Sequence, residues 1–319
     1  MNKDMKMKPG GSNLGSRRRS KFRLYMKEYW QLYTLILPAV IAVFIFSYIP
    51  MYGAQIAFRD YKFNLGYLES EWVGLKHFIR FFTGDNFTVL LKNTLGISIY
   101  QLIAGFPIPI ILALMLNEVN SSKFKKTVQM LTYAPHFIST VAICGLIVLF
   151  LQRDTGLINL IIKFFGGEGK DFLTDSKSFK TIFVLSGIWQ TMGWSSIIYI
   201  AALSGVDTQV IEAARVDGAN RLQKIWHIDL TSIKPTILIL LILQVGTLMN
   251  VGYEKILLLQ NALNMSSSDV ISTYVYRVGV QGAQYSYTTA IGLFNSAVNI
   301  VLLLTVNQIT KKLGQSSLF

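Results

Sequence analysis

The sequence predicts an all-α membrane protein with six transmembrane helices. Three observations predict it. The 319 residues are 52% apolar and only 15% charged, with a mean hydropathy of +0.43, which is too oily for a soluble domain of this length. Six runs, at 31–57, 91–116, 127–151, 181–203, 236–259 and 288–310, each reach the ~20 apolar residues that a ~30 Å hydrocarbon core requires. The basic residues also alternate from loop to loop. Segments 1–30, 117–126, 204–235 and 311–319 carry 18 bases against 7 acids, whereas 58–90, 152–180 and 260–287 carry 10 against 9. Lys and Arg are retained on the cytoplasmic side, so the chain is multi-pass with both termini cytoplasmic. The formal charge of +13 is then explained by topology and anionic inner-leaflet lipid rather than by nucleic acid.

Taken in order, residues 1–23 are polar, Gly/Ser-containing and basic, and read as a disordered cytoplasmic tail. Arg17, Arg18, Arg19, Lys21, Arg23 and Lys27 crowd the start of the first run. That run is too long for a signal-peptide core and is followed by no small-residue cleavage site, so it is a permanent span. Beyond it, Trp72, Phe78, Phe81 and Phe82 suit an aromatic belt at the headgroups, with a short helix near 75–82. "NFT" at 86–88 and "NMS" at 264–266 match glycosylation acceptors, a pattern short enough to arise by chance.

In the second run "GFPIP" places Pro107 and Pro109, each of which removes a backbone donor and should kink the helix. Such a break either lines a cavity or serves packing. Cys144, the one cysteine, lies in the third run, which leaves no disulfide framework and no thiolate metal site. His77, His136 and His227 are too scattered for metal ligation. No internal repeat stands out, and residues 313–319 form a short cytoplasmic tail.

No Asp, Glu, Lys or Arg falls in the central part of any run; Glu254 and Lys255 come near the outer end of the fifth. An ion-coupled carrier usually needs such a group, so energy is expected from elsewhere. Uncharged polar stripes do recur at helical spacing: Gln244, Thr247 and Asn250 in the fifth run, Asn295 and Asn299 in the sixth, Asn93 and Gln101 in the second, Trp189, Gly193 and Ser196 in the fourth. Amides and indoles suit hydroxyl-rich sugars, since they hydrogen-bond along their edges and offer aromatic faces to C–H groups. The same residues can equally be interhelical glue. The candidate substrate pathway is therefore Gln101, Trp189, Ser196, Gln244, Thr247, Asn250, Asn295 and Asn299.

Between the fourth and fifth runs, Val210, Ile211, Ala214, Ala219, Leu222, Ile225 and Trp226 recur at three- and four-residue steps, with Glu212, Arg215, Asp217, Arg221 and Lys224 between them. This is an amphipathic helix interrupted by Gly218, a residue that costs about 1 kcal/mol relative to Ala in a helix interior and permits a turn. Two short helices joined at an angle are expected. A helix lying on the membrane would carry Lys and Arg on its polar face. The mixed charges and the small Ala213, Ala214 and Ala219 favour docking onto a protein instead.

At these residues the sequence resembles a known family. "EAARVDGANRLQKIWHIDL" resembles the EAA coupling-helix loop of binding-protein-dependent ABC importers, with Glu212, Ala213, Ala214, Asp217, Gly218, Ala219, Ile228 and Leu230 matching its pattern. Thr231 stands where the family usually has Pro, and Ile225-Trp226 where an aromatic is usual. "EWVGLKHFIRFF", "KNTL" and "TYAPHFIST" resemble carbohydrate-uptake permeases of the maltose-permease type, a likeness covering about 24–312. "VGYEKILLLQN", "STYVYRVGV" and "AIGLFNSAVNIVLLL" resemble the branch for polysaccharide breakdown products.

The resemblance implies a permease subunit in a bacterial cell membrane, working with a second homologous permease, a cytoplasmic ABC ATPase dimer and an extracellular solute-binding lipoprotein, and taking an oligosaccharide as substrate. It implies that Glu212 meets a basic residue in a cleft of the ATPase, and that Gly218 with Ala213, Ala214 and Ala219 permits a close fit. No phosphate-binding loop occurs, since "GGEGKD" at 166–171 lacks both its spacing and its hydroxyl. The chain is thus expected to bind no cofactor and to be no enzyme, with ATP and Mg on the partner ATPase. The alternatives are an ABC permease for another small solute, a secondary carrier, and a membrane-embedded enzyme, for which no acid–base or nucleophile constellation is present.

Overall fold

A backbone in lipid must satisfy its own hydrogen bonds, which leaves apolar segments of this kind little choice but helix. The computed structural model describes residues 28–314 and Ser317, and is helical nearly throughout. The predicted tail 1–23 with its basic cluster lies outside the described residues, as does most of 313–319.

The chain divides into two units, one ending at Gln55 and the other beginning at Ile56. In the first unit begins α1 (Trp30–Phe58), which passes through a π turn at Phe44–Tyr48 and ends in a 3-10 stretch. The second unit opens with a small antiparallel ribbon, β1 (Arg59–Asp60) against β2 (Glu71–Trp72). Then come α2 (Lys76–Thr83), α3 (Asn86–Asn117), α4 (Ser122–Phe137), α5 (Thr140–Leu151) and α6 (Leu157–Phe164). After these follow α7 (Ser176–Ser204), α8 (Thr208–Val216), α9 (Arg221–Val245), α10 (Tyr253–Leu259) and α11 (Tyr285–Lys312).

Four helices, α1, α3, α9 and α11, are long and apolar enough to cross a membrane. The α4–α5 pair, bent by 102°, and the α7–α8 pair, bent by 75°, pass the same test as pairs. The protein is an all-α membrane protein, with four such helices among the described residues, or up to six spans if each bent pair is one. Its buried interior forms between α3, α5, α7 and α10, where Ile97, Ile143, Cys144, Phe183, Val184 and Ile256 pack together. A second cluster joins α2, α3 and α11 through Phe81, Leu90, Tyr287 and Ile291.

Several expectations change at this level. Phe81 is no headgroup residue: it is 2% exposed and ringed by Phe82, Phe87, Tyr287 and Phe294, while Trp72 and Phe78 stack on Phe58. Asn264 of "NMS" is fully buried, its amide donating to the carbonyls of Leu173 and Leu259, so it cannot accept a glycan. Pro107 does not break α3. The helix widens into a π turn over Gln101–Gly105 just before the proline, which accommodates the ring and the missing N–H.

The third run is not straight. Pro135 sits in a 3-10 turn at Ala134–Phe137, and α5 restarts where the Ser139 hydroxyl accepts the N–H of Ala142 at 3.3 Å. The fifth span begins well before its apolar run at 236–259. The predicted second short helix is the opening of α9 itself, which passes through a π turn at Ile225–Asp229 and stays helical through Thr231 and Pro235. The chain then unwinds over 246–252, where Asn299 Oδ1 accepts the N–H of Met249 at 3.0 Å, and resumes as α10. Lys255 is thereby carried into the bundle, 8% exposed, rather than to the outer end of a span.

Candidate functional site

Two features outside the packed interior invite function: the α8 loop and a cavity among α3, α7 and α9.

Asp207 starts α8 by accepting the N–H of Gln209 at 2.9 Å. The helix ends with paired bonds, Ala219 N–H to the Ala214 carbonyl at 2.9 Å and Gly218 N–H to the Arg215 carbonyl at 3.1 Å, the Schellman arrangement that needs a left-handed residue. Gly218 supplies it with φ of +77°, and a Cβ built there would meet nothing within 4 Å. Its dihedral angle is therefore what requires glycine. Asn220 and Gln223 then exchange side-chain-to-backbone bonds at 2.8 and 2.9 Å, opening α9. All of this chemistry is local, so α8 is held at both ends by its own sequence.

Glu212, Ala213, Asp217 and Gly218 are exposed, while Ala214 and Ala219 are half-buried. Among the described residues Glu212 has no ion-pair partner. Large apolar side chains are exposed in the same loop, with Val216 at 88%, Leu222 at 77% and Trp226 at 67%. Large exposed apolar side chains grouped beside an acid are a common feature of interaction surfaces.

Behind α8 lies an ionic node that sequence reasoning missed. The Lys224 ammonium contacts Glu118 at the end of α3 and reaches Asp229 Oδ2 at 3.1 Å; the Asn117 amide adds a bond to the same oxygen at 3.4 Å. Asp229 is fully buried. A cavity of about 280 Å³, lined by Asn117, Glu118, Ala214, Arg215 and Lys224, separates this node from α8. The available signal was Asp229 itself, an acid inside the apolar "IWHIDL" one turn and a half after Lys224.

The larger cavity, about 680 Å³, has Gln101, Thr191, Trp194, Ser195, Gln244 and Thr247 in its wall. Of the eight predicted pathway residues it gathers Gln101, Gln244 and Thr247 and leaves out the rest. The indole it presents belongs to Trp194, not Trp189. His136, from the α4–α5 bend, stacks on Trp194 at 4.5 Å and 5°, and Phe137 meets it edge-on at 5.7 Å. Ser196 is fully buried, its hydroxyl bonded to the Gly193 carbonyl at 2.6 Å. Asn250 Oδ1 receives both Asn295 Nδ2 at 2.9 Å and Asn299 Nδ2 at 3.2 Å, tying the unwound segment to α11. Asn93 likewise donates to the carbonyls of Ser266 and Asp269.

With this geometry in place, comparison with known proteins is specific. Residues 105–315 match the family described as binding-protein-dependent transport system inner membrane component. The polygalacturonan/rhamnogalacturonan transport system permease protein YteP of Bacillus subtilis (strain 168) is 47% identical over 303 residues, covering 95% of this chain and 94% of that protein. Protein LplB of the same organism is 43% identical, covering 92% of each. Among solved structures, a chain of a bacterial alginate ABC transporter, crystallised with an alginate pentasaccharide-bound periplasmic protein, superposes with a TM-score of 0.85 at 41% identity. That match covers 93% of this chain and 100% of the other. The chain belongs to the family of binding-protein-dependent transport system inner membrane components.

Proposed function

We propose that the chain is the transmembrane permease subunit of an ATP-driven importer that receives oligosaccharides from an extracellular solute-binding protein. The relatives named for polygalacturonan and rhamnogalacturonan, and for the acidic polysaccharide alginate, support an acidic oligosaccharide as the cargo. Each of the α4–α5 and α7–α8 pairs contributes one span to a total of six, and the lysine and arginine count puts the α8 loop and both termini in the cytoplasm. A second homologous permease closes the open side of the 680 Å³ cavity, where amides and the Trp194 face meet sugar hydroxyl and C–H groups.

The observation that carries this reading is Glu212, exposed and without an ion partner among the described residues, on a helix capped at both ends and set 75° to α7. A partner ATPase supplies the basic residue opposite Glu212 and holds ATP and Mg. Its closure moves α8 as a rigid piece, and α7 and α9, joined to α8 at either end, transmit that movement to the cavity wall.

Affinity purification from native membrane in mild detergent tests this directly. An ATPase and a second permease should accompany the wild-type chain, and Glu212→Arg should lose the ATPase while keeping the permease. Recovery of the chain alone from both preparations would overturn the reading.

A further inference from the structure

Two lysines lie on α3 and α7, the helices that wall the large cavity, a third lies on α10 and bonds to α7, and none is within 4.0 Å of a carboxylate among the described residues. Lys92 is exposed on α3, and Lys180 is half-buried on α7. The Lys180 ammonium is turned toward α3, where it would lie 2.9 Å from a Cβ built on Gly96, and Lys92 falls one turn before Gly96 on the same face of α3. Lys255 is 8% exposed. Its ammonium donates to the Phe183 carbonyl at 3.3 Å, faces the Phe183 ring at 5.1 Å, and lies 3.6 Å from where a Gly187 Cβ would be.

Helical spacing puts these contacts on one line. Lys180, Gly187, Thr191 and Ser195 fall on the same face of α7, and Thr191 and Ser195 are cavity wall. Gly187 is about 17 Å along α7 at 1.5 Å per residue, so the Lys255 charge sits well inside the bundle. Lysines that only anchor helix ends extend their ammonium groups outward to headgroups. Lys180 and Lys255 turn theirs inward instead, toward α3 and α7. A buried ammonium without an acid is costly, and inside membranes such groups mark the path of a charged substrate.

We propose that Lys92, Lys180 and Lys255 form a cationic path that receives the carboxylates of a uronate oligosaccharide before its sugar rings reach the Gln101–Trp194 cavity. This rests on the importer reading above and deepens it. A carboxylate on every ring suits a series of separated cations, since the chain passes from one to the next without being held by any single one.

The test uses the complete transporter in proteoliposomes, with binding protein pre-loaded with trigalacturonate, and compares K92Q, K180Q, K92Q/K180Q and K180R. Uptake should fall about tenfold in each single Gln variant, roughly the loss of one charge-assisted contact, and about a hundredfold in the double variant, while K180R retains most of the rate. Uptake by K92Q/K180Q within twofold of wild type, with wild type importing normally, overturns the cationic path and leaves the importer reading standing. Absence of saccharide uptake by the wild type overturns both. If the double variant does not assemble, K92Q alone, at an exposed position, decides by the same comparison: an unchanged rate overturns the path, and a loss restored in K92R supports it.

Discussion

Replacing Lys224 by methionine keeps most of the side-chain volume and removes the charge that holds α3 to α9. Asp229, fully buried, would retain only the Asn117 amide at 3.4 Å, and one of its oxygens, Oδ1, already has no partner. Breaking a buried ion pair from one side costs about 3–5 kcal/mol, because a desolvated charge is left behind. The lysine and Glu118 side chains are 15% and 18% exposed, so water reaches the edge of the node and the lower figure, about 3 kcal/mol, applies. For a chain of 319 residues that corresponds to a fall in Tm of roughly 4–5 °C, read by intrinsic fluorescence in detergent. The combined K224M/E118Q/D229N variant removes all three charges together, and should recover most of the loss. A fall of under about 2 °C for K224M, or a triple variant no more stable than the single one, would refute the reasoning.

Trp194→Ala should lower oligosaccharide uptake by about tenfold, the worth of one aromatic platform, whereas Trp189→Ala should leave the rate near wild type; transport assays on both variants check this. Asn299→Leu takes the acceptor from the Met249 N–H and should cost about 1–3 kcal/mol, measured as a lower Tm and as faster hydrogen exchange over 246–252. Asp175 caps α7, and its carboxyl is held below the usual carboxylate range by the Lys170 ammonium first, then by the Ser178 hydroxyl and the Lys177 N–H. A depressed pKa stabilises the fold above the unfolded value, about 4, and that contribution fades only as pH falls through the lower folded value. Hydrogen exchange in the first turn of α7 should therefore show the same protection at pH 7 and pH 5, and Asp175→Asn should remove the dependence seen on further acidification.

The spans that depend only on local composition were legible in the sequence. The second, fourth and sixth apolar runs fall within α3, α7 and α11, since hydropathy senses the lipid solvent directly. The turn at Gly218 was legible for a related reason: the caps of α8 and the start of α9 are made by residues within a few positions of one another. Exposure of Glu212 follows from the same short stretch.

What the sequence left open lies wherever a partner comes from a distant helix. The apolar run at 236–259 conceals the unwound segment, because its backbone is satisfied by Asn299, 50 residues from Met249. Asparagines read as a pathway turn out to join α11 to that segment. Trp189 and Trp194 are equivalent in composition, and only the rotation of α7 against α3 and α9 brings Trp194 into the cavity wall. The Glu118–Lys224–Asp229 node and the inward turn of Lys180 and Lys255 have the same origin. Solvent preference and capping act over a few residues and are written in the local sequence, whereas the environment of a buried polar group is set by which helices meet around it.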